Sequence, residues 1–244
     1  MTVHDEETGR RHVREIMERL ARVGPYFTAE CADRTDAGEF APLSTLYDSG
    51  LEEYVARAAP RMGTADRRVA ASTVHLGLAS RLWSLGLGAA ALSGRVPDLA
   101  PGRVRWRLSG DGALTLWLPE PLARPEAPAE ALGATVVEAN LRPLETAMRT
   151  RLGLSAPILR GNAASALAGA VRVLLGRAPG APHPPVPIAA ALLGRAPLSE
   201  GGTFVHEEGL GVAFLRSSCC LYYRVPGGGL CGDCVLRSAP ARKG

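Results

Sequence analysis

Four of the five cysteines in this 244-residue chain lie close together near its C-terminal end, at Cys219, Cys220, Cys231 and Cys234. Their order is an adjacent pair, ten residues, and a second pair separated by two residues. The Cys-x-x-Cys spacing allows two sulfur atoms to bind at one metal site. Three consecutive glycines between the pairs allow the chain to turn back on itself. Converging thiolates repel each other unless a cation lies among them, so the spacing predicts a metal site.

The adjacent pair bears on which metal is bound. Structural zinc sites usually use two pairs of ligands, each with about two to four residues between its members. Neighbouring residues in extended chain point their side chains apart, so Cys219 and Cys220 suit one small ion poorly. A two-iron cluster is wider and accommodates such a pair more easily, although the spacing differs from the ferredoxin patterns. The residues alone favour an iron–sulfur cluster and leave zinc open.

Composition is that of a soluble globular protein, with 46% apolar and 21% charged residues. The net charge of +4 is spread along the chain, and the few aromatic residues are not interleaved with arginine, so we expect no nucleic-acid partner. The N-terminus is polar, unlike a secretory signal, and the uncharged run 82–94 is too short to cross a bilayer. We therefore expect a cytoplasmic protein, where reduced thiols favour metal binding over disulfides.

Residue periodicity predicts an α+β fold that is predominantly helical with a small antiparallel β element. Apolar spacing predicts a long buried helix capped by Thr64, and further helices over 10–23, 44–61, 129–152, 155–175 and 188–195. Alternation in 103–108 and 113–118 around a Gly/Asp turn predicts a β-hairpin. Irregular, glycine-rich chain is expected between residue 195 and the cysteines.

We expect three regions that form one compact unit. They are an N-terminal helical region with the hairpin (1–128), a helical region (129–215) and a C-terminal cysteine segment (216–244). The arginines of the hairpin, Arg103, Arg105 and Arg107, are expected to form a solvated face, or to attract an anionic ferric chelate. His75 is expected to be a core histidine, and Cys31 an ordinary, partly buried thiol.

The cysteine segment resembles the C-terminal signature of the FhuF-like ferric-siderophore reductases. Residues 216–234, RSSCCLYYRVPGGGLCGDC, reproduce that family's Cys-Cys, ten residues, Cys-x-x-Cys pattern, including the adjacent pair. A second segment, GNAAS at residues 161–165, is similar to the family's Gly-Asn-x-x-Ser. Arg160 precedes it, where many members have an aromatic residue.

The resemblance implies a [2Fe–2S] cluster with all four cysteines as ligands, and an enzyme that reduces siderophore-bound Fe(III) by one electron to release Fe(II). It also implies a fold like the C-terminal ligand-binding region of siderophore synthetases. No catalytic side chain is expected beyond electron transfer through the cluster. Candidate substrate-binding residues are Asn162, Arg160, Arg216 and Arg224. Arg216, Arg224 and Arg237 flank the cysteines and are expected to favour the more negative, reduced cluster.

No Gly-x-Gly-x-x-Gly follows a strand, so the electron is expected from a separate donor: a ferredoxin, a flavodoxin or an NAD(P)H-dependent reductase. Transient contact with the inner membrane, where ferric chelates enter, would fit that function. Two alternatives stay open at this stage. One is a zinc-stabilised binding module. The other is an iron–sulfur electron carrier or siderophore-binding protein without reductase activity.

Overall fold

The computed structural model describes residues 3–207 and 211–237. The prediction of a mainly helical α+β fold is confirmed, since 59% of the chain is helical and the strands pair antiparallel. The helices are α1 (Val3–Ala21), α2 (Leu43–Thr45), α3 (Leu51–Arg61), α4 (Arg67–Ser93), α5 (Pro128–Leu132), α6 (Arg142–Leu152), α7 (Ala156–Arg177) and α8 (Pro185–Leu193). The strands are β1 (Ala41–Pro42), β2 (Arg105–Leu108), β3 (Leu114–Trp117), β4 (Gly202–Glu207) and β5 (Gly211–Arg216).

Helices α4 and α7 form the centre of the protein, and most of their residues are buried. The indole N–H of Trp83 on α4 donates to the carbonyl of Ala163 on α7 at 3.0 Å. Helix α7 is long and apolar enough to span a membrane, but 72% of its most apolar window is buried inside the protein. The core helix of a soluble protein packs in this way.

The start of α4 corrects one prediction. Asp66, not Thr64, is the N-cap, because its carboxylate accepts from the N–H groups of Arg68 at 2.9 Å and Val69 at 3.3 Å. The Thr64 hydroxyl instead accepts from the Asp66 N–H at 3.2 Å. A carboxylate directly before the first turn also interacts favourably with the positive end of the helix dipole.

The predicted hairpin is confirmed as β2 and β3, which pair antiparallel with Trp106 opposite Leu116, while β1 adds a short third strand. The expectation of irregular chain before the cysteines was wrong. Strands β4 and β5 form a second hairpin there, with Phe204 opposite Phe214. Glycines at its base obscure the alternation that would otherwise signal strands. This hairpin packs against α7 and ends at Arg216, three residues before the first cysteine of the pair.

A buried network joins the N-terminal part of the chain to the π-helical segment Gly133–Leu141 that links α5 to α6. The Tyr47 hydroxyl donates to Asn140 Oδ1 at 2.8 Å, and Asn140 Nδ2 donates to the carbonyls of Leu99 at 2.8 Å and Thr135 at 2.7 Å. All polar atoms of the Asn140 side chain thus have partners, as burial requires.

Candidate metal centre

The segment after β5 turns sharply directly behind the adjacent cysteines. Leu221 has a left-handed backbone (φ 68°), and it is the only non-glycine residue with positive φ in the described part of the chain. Its N–H donates to Cys219 Sγ at 3.4 Å. Such a conformation costs about 1–2 kcal/mol for a residue with a Cβ. The turn supplies the distortion that an adjacent ligand pair requires.

The chain then returns through a 3₁₀ turn, Tyr222–Arg224, and through Gly227 and Gly229, which both have positive φ. The second cysteine pair is itself a tight turn, closed by the Cys234 N–H donating to the Cys231 carbonyl at 3.2 Å. Glycine adopts the left-handed region without steric cost, so the sequence can fold both pairs towards each other here.

The four thiols differ in exposure. Cys220 and Cys234 are buried, whereas Cys219 and Cys231 are half-buried. Burial raises the pKa of the Cys231 thiol, and its hydrogen bond and repulsion with Cys220 raise it further. Burial also raises the pKa of Cys219, with smaller contributions from Cys220 and Cys234. The thiols of the two pairs therefore influence one another, and a bound cation is what would favour their ionised, ligating form.

Arg216 places a buried positive charge beside these thiols. Its side chain is 1% exposed, and its guanidinium donates to the Ser218 carbonyl at 3.0 Å and to Asn162 Oδ1 at 2.5 Å. Its Nη1 has no hydrogen-bond partner among the described residues. Burial lowers the pKa of Arg216, and the charges of Cys220 and Cys231 act against that shift. A buried guanidinium with a spare donor is suited to an anionic group held by the cysteines.

Asn162 on helix α7 holds this guanidinium in place and is linked to the cysteine segment through Ser72 on α4. Asn162 is fully buried and donates to the carbonyl of Ser72 at 2.9 Å and to its hydroxyl at 3.1 Å. The Ser72 hydroxyl in turn donates to the Cys220 carbonyl at 2.7 Å. Asn162 therefore orients Arg216 with its oxygen and Ser72 with its nitrogen.

Gly161 allows the close approach of α7 to this segment. A Cβ at that position would lie 2.7 Å from Ser218 Oγ and 2.9 Å from Arg216 Nη2. Both atoms are held by hydrogen bonds, since Ser218 donates to the Pro157 carbonyl at 2.6 Å. A larger residue would have to displace them.

Asp233 anchors the Cys-x-x-Cys turn to the same helix. The Ser165 hydroxyl donates to Asp233 Oδ2 at 2.5 Å, and Arg172 lies 3.0 Å from each carboxylate oxygen. The Gly-Asn-x-x-Ser segment thus has three structural tasks: close approach at Gly161, orientation of Arg216 by Asn162, and attachment of the turn by Ser165.

The remaining predicted site residues lie in other contacts. Arg160 pairs with Glu200 and with Glu145, the latter at 3.6 Å. Arg224 is 53% exposed and lies 3.6 Å from Asp66. Asn162 and Arg216 are buried as described. Direct contact of Arg160, Asn162, Arg216 or Arg224 with substrate stays a prediction.

The other candidates of the sequence lie outside the cysteine segment. His75 is 1% exposed, in agreement with its interpretation as a core residue. Cys31 is partly buried, and burial raises the pKa of its thiol to about 12. The arginine stripe of the hairpin is largely neutralised, since Arg107 pairs with Asp36 and Glu39 and Arg103 with Asp98.

Sequence reasoning missed a cavity of about 790 Å³ beside the cysteine segment. Its walls are one face of α4, one face of α7, residues 22–27 and the turn at Cys231–Asp233. The two helix faces carry small residues, among them Gly77 and Ser80 on α4 and Gly169 on α7. Small residues at helical spacing were the available signal, but the same pattern is typical of tight helix packing, so it does not identify a cavity by itself.

The donor set fits an iron–sulfur cluster. Four thiols lie in one segment, their thiolate forms need a compensating cation, and the unpartnered donor of Arg216 suits the negative charge that four thiolates confer. In the described part of the chain, no three His, Cys, Asp or Glu side chains meet as ligands of one metal ion would. This absence does not count against a two-iron cluster, because such a cluster distributes its four thiolates over two metal ions.

The structure holds a cysteine segment, whose donors fit an iron–sulfur cluster, against a helical core. Residues 216–236 match the family model of the FhuF 2Fe-2S C-terminal domain. The predicted resemblance of the cysteine segment and the [2Fe–2S] cofactor are thereby confirmed. The match is short and covers only the cysteine segment. No curated protein matched the chain significantly.

Proposed function

We propose that the protein is a cytoplasmic ferric-siderophore reductase that reduces chelated Fe(III) by one electron and releases Fe(II). The observation that carries this proposal is the position of Cys231, a predicted ligand, in the wall of the 790 Å³ cavity. A chelate in this cavity would be adjacent to the redox centre. An electron carrier or a zinc-stabilised module has no need of such a cavity at its metal site.

The reaction requires little covalent chemistry from the protein. When bound, the reduced cluster supplies one electron that converts ferric to ferrous iron, and a separate ferredoxin, flavodoxin or NAD(P)H-dependent reductase restores it. The residues of the chain hold the chelate, limit water and set the local charge. Leu76 and Val173 provide apolar contact for the organic part of a chelate, and Ser80 provides a hydroxyl donor.

Arg216 and its supporting residues act on the redox centre. A buried cation favours the more negative state of a neighbouring group, so Arg216 raises the potential of the site and makes reduction by a biological donor easier. Asn162 and Ser72 keep this cation in place.

Anaerobic purification followed by iron and sulfide analysis is the first test of this function. We expect a red-brown protein with two irons and two sulfides per chain. A colourless protein containing zinc would support the binding-module alternative instead.

A single-turnover reaction is the second test. Reduced protein is mixed with a ferric siderophore in the presence of a ferrous-specific dye. We expect cluster oxidation and the formation of trapped Fe(II) in equal amounts. If none of a hydroxamate, a citrate-type chelate and a catecholate oxidises the cluster, the protein is a carrier or a binding protein and not a reductase.

A further inference from the structure

Two serine hydroxyls in the cavity wall have no hydrogen-bond partner among the described residues. Ser80 and Ser84 lie four residues apart on one face of α4, and both line the cavity. Other hydroxyls of this helix, on Thr73 and Ser93, donate to the backbone carbonyl four residues earlier, at 3.0 and 2.8 Å. Since Ser80 and Ser84 donate to no carbonyl of the described chain, their hydroxyl groups are free to bind a ligand.

The burial of Ser84 makes its free hydroxyl informative. Ser84 is 3% exposed, and the other buried serines, Ser72 and Ser165, donate to the Cys220 carbonyl and to the Asp233 carboxylate. Buried polar groups are nearly always paired, because leaving one without a partner costs free energy. The Ser84 hydroxyl therefore points to a ligand group that pairs with it in the cavity.

The wall formed by α7 offers mainly apolar surface. Its lining residues between positions 166 and 173 are Ala166, Gly169, Ala170 and Val173, none of which has a polar side chain. The two free hydroxyls on α4 are one helical turn apart, which is about 5.4 Å along the axis. A ligand that fits both helices has an apolar body and uncharged hydrogen-bonding groups along one edge.

Charge gives the cavity no comparable preference. Arg22 and Arg177 place positive charge in its wall, whereas a cluster bound at Cys231 would place negative charge in the same wall. Asp233 is already paired with Arg172. Because these charges act on a ligand in opposite directions, hydrogen bonding and shape are the better basis for selection.

Gly77 leaves space open on the same face of α4. It lies three residues before Ser80 and lines the cavity, and a Cβ at this position would meet no atom within 4 Å. Glycine inside a helix is less favourable than most other residues. Packing within the protein therefore does not require this glycine, and a larger side chain would take up cavity space.

We propose that the organic backbone of the chelate lies between α4 and α7, and that Ser80 and Ser84 are specificity-determining residues. Their hydroxyls donate hydrogen bonds to uncharged acceptors of this backbone, such as amide or ester carbonyls. The proposal rests on the proposed function, because it takes the cavity as the chelate site. A chelate whose backbone is purely hydrocarbon leaves both hydroxyls unpaired and gains nothing from them.

Gallium(III) complexes measure this recognition without electron transfer, because they resemble the ferric complexes in shape and charge and accept no electron. Two neutral complexes with the same three hydroxamate groups are titrated by calorimetry into the oxidised holoprotein. One is a macrocycle with amide groups in its backbone, and in the other methylene groups replace these amides.

The double variant Ser80→Ala/Ser84→Ala removes both hydroxyls. It should lose on the order of tenfold in affinity for the amide complex, and less than about twofold for the hydrocarbon complex. The matched control is Ser49→Ala/Ser93→Ala, which removes two hydroxyls that donate to backbone carbonyls outside the cavity wall. This control should retain both wild-type affinities.

The variant Gly77→Leu tests the position of the chelate. It should weaken binding of both complexes by about tenfold or more, while thermal unfolding shows a protein at least as stable as the wild type. The control is Gly176→Leu, which fills open space at an exposed glycine of α7 outside the wall. Its affinities should equal those of the wild type.

Two results overturn the proposal: equal effects of the serine variant on the two complexes, or unchanged binding in Gly77→Leu. Stopped-flow oxidation of the reduced protein by the ferric amide complex separates this failure from a failure of the reductase function. Oxidation at wild-type rates in both variants, at subsaturating chelate, rejects backbone recognition and keeps the reductase. Serine-dependent gallium binding without any oxidation keeps the recognition and rejects the reductase.

Discussion

At the scale of single residues, Asn162 holds the buried Arg216 in position. It is fully buried and is the only described side chain that accepts a hydrogen bond from the Arg216 guanidinium. Removing it leaves Arg216 Nη2 with only a long hydrogen bond, to the Ile158 carbonyl at 3.4 Å, and a poorly paired buried charge is more costly than a lost neutral hydrogen bond. Its role is to position Arg216.

We expect Asn162→Ala to lower the free energy of unfolding by about 2–3 kcal/mol and to change the electron paramagnetic resonance spectrum of the reduced protein. Asn140→Ala is the matched control, because Asn140 is equally buried and hydrogen-bonded but lies in the network of Tyr47 and Leu99. It should be destabilised similarly and keep the wild-type spectrum. Identical spectra in both variants would assign Asn162 to the core alone.

The two arginines beside the cysteines should differ in their effect on the redox potential. Arg216 is buried, whereas Arg224 is 53% exposed and therefore screened by water and salt. Arg216→Ala should lower the midpoint potential by roughly tens of millivolts, and Arg224→Ala by clearly less. Arg216→Lys keeps the charge and should stay close to the wild-type value. Protein-film voltammetry measures all three, and unchanged potentials in both alanine variants would contradict the electrostatic role.

His75 makes the protein sensitive to acid. Burial, together with the charge of Arg216, lowers its pKa to about 3, from an ordinary value near 6.5. Between these values the unfolded chain binds a proton at His75 that the folded chain does not, so stability falls as the pH is lowered through this range. His75→Leu should reduce the loss of stability between pH 6.5 and about 4. Denaturant unfolding at several pH values tests this. If the free energy of unfolding falls equally with pH in wild type and variant, His75 is not the source of the acid sensitivity.

At the scale of elements, helix α7 holds the cysteine segment in place. Gly161, Asn162, Ser165 and Arg172 lie along this one helix and contact Arg216, Ser218 or Asp233. Because the helix is rigid and buried, the segment that follows β5 has fixed points along its length although it contains little regular structure. The geometry of the cysteines thus depends on a helix that ends 42 residues before Cys219 in the chain.

Asp233→Asn should loosen the attachment of the second cysteine pair. The change weakens the contact with Arg172 and removes the charge that the Ser165 hydroxyl contacts. We expect an iron chelator to bleach the visible absorbance of the anaerobic variant several-fold faster than that of the wild type. Asp98→Asn is the control, since Asp98 also forms ion pairs, with Arg103 and Arg124, but outside the cysteine segment. Equal bleaching rates in the two variants would rule out the anchoring role.

The elements that the sequence allowed us to predict are those with a strong local pattern. Helix α4 is apolar on nearly all sides, and the residues of β2 and β3 alternate around a Gly/Asp turn, so both were predicted correctly. The β4–β5 hairpin was missed because glycines dilute its short alternation. The capping of α4 was misplaced because Thr64 and Asp66 are both suitable caps, and only the structure shows which lies directly before the first turn.

The candidate site likewise has parts that the sequence predicts and parts that it does not. The cysteines and the Asn162 segment could be found because their spacing is unusual and local. The cavity could not be predicted, because it depends on how far apart α4 and α7 lie and on residues 22–27, which precede the second cysteine pair by more than 200 residues. The burial of Arg216 was likewise invisible, since an arginine next to cysteines in the sequence is more often exposed.

At the scale of the whole molecule, the cysteine segment and the core should stabilise each other. Cys220 is linked to α4 through Ser72, and Asp233 is linked to α7, so a change in the segment reaches both central helices. Removing the cluster takes away a ligand that binds the folded chain and returns four thiols to a buried, partly repelling environment. The metal-free protein should therefore be less stable than the holoprotein.

We expect anaerobic removal of iron to lower the melting temperature by several degrees and to leave most of the helical circular dichroism intact at 20 °C. Reconstitution with iron and sulfide should restore the original value. A Cys231→Ser variant treated in parallel should show no such recovery. An unchanged melting temperature after complete iron removal would mean that the segment and the core are energetically independent.

The cavity has walls from four separate parts of the chain, and only one of them contains the cysteine signature. Mutations at residues 22–27 or on the open faces of α4 and α7 can therefore alter ligand preference while every ligand of the metal stays in place. A lineage could in this way acquire a new iron chelate without rebuilding its redox centre. Two proteins with the same 21-residue signature need not share a substrate, and comparison of the cavity residues would be the better guide to what each one takes up.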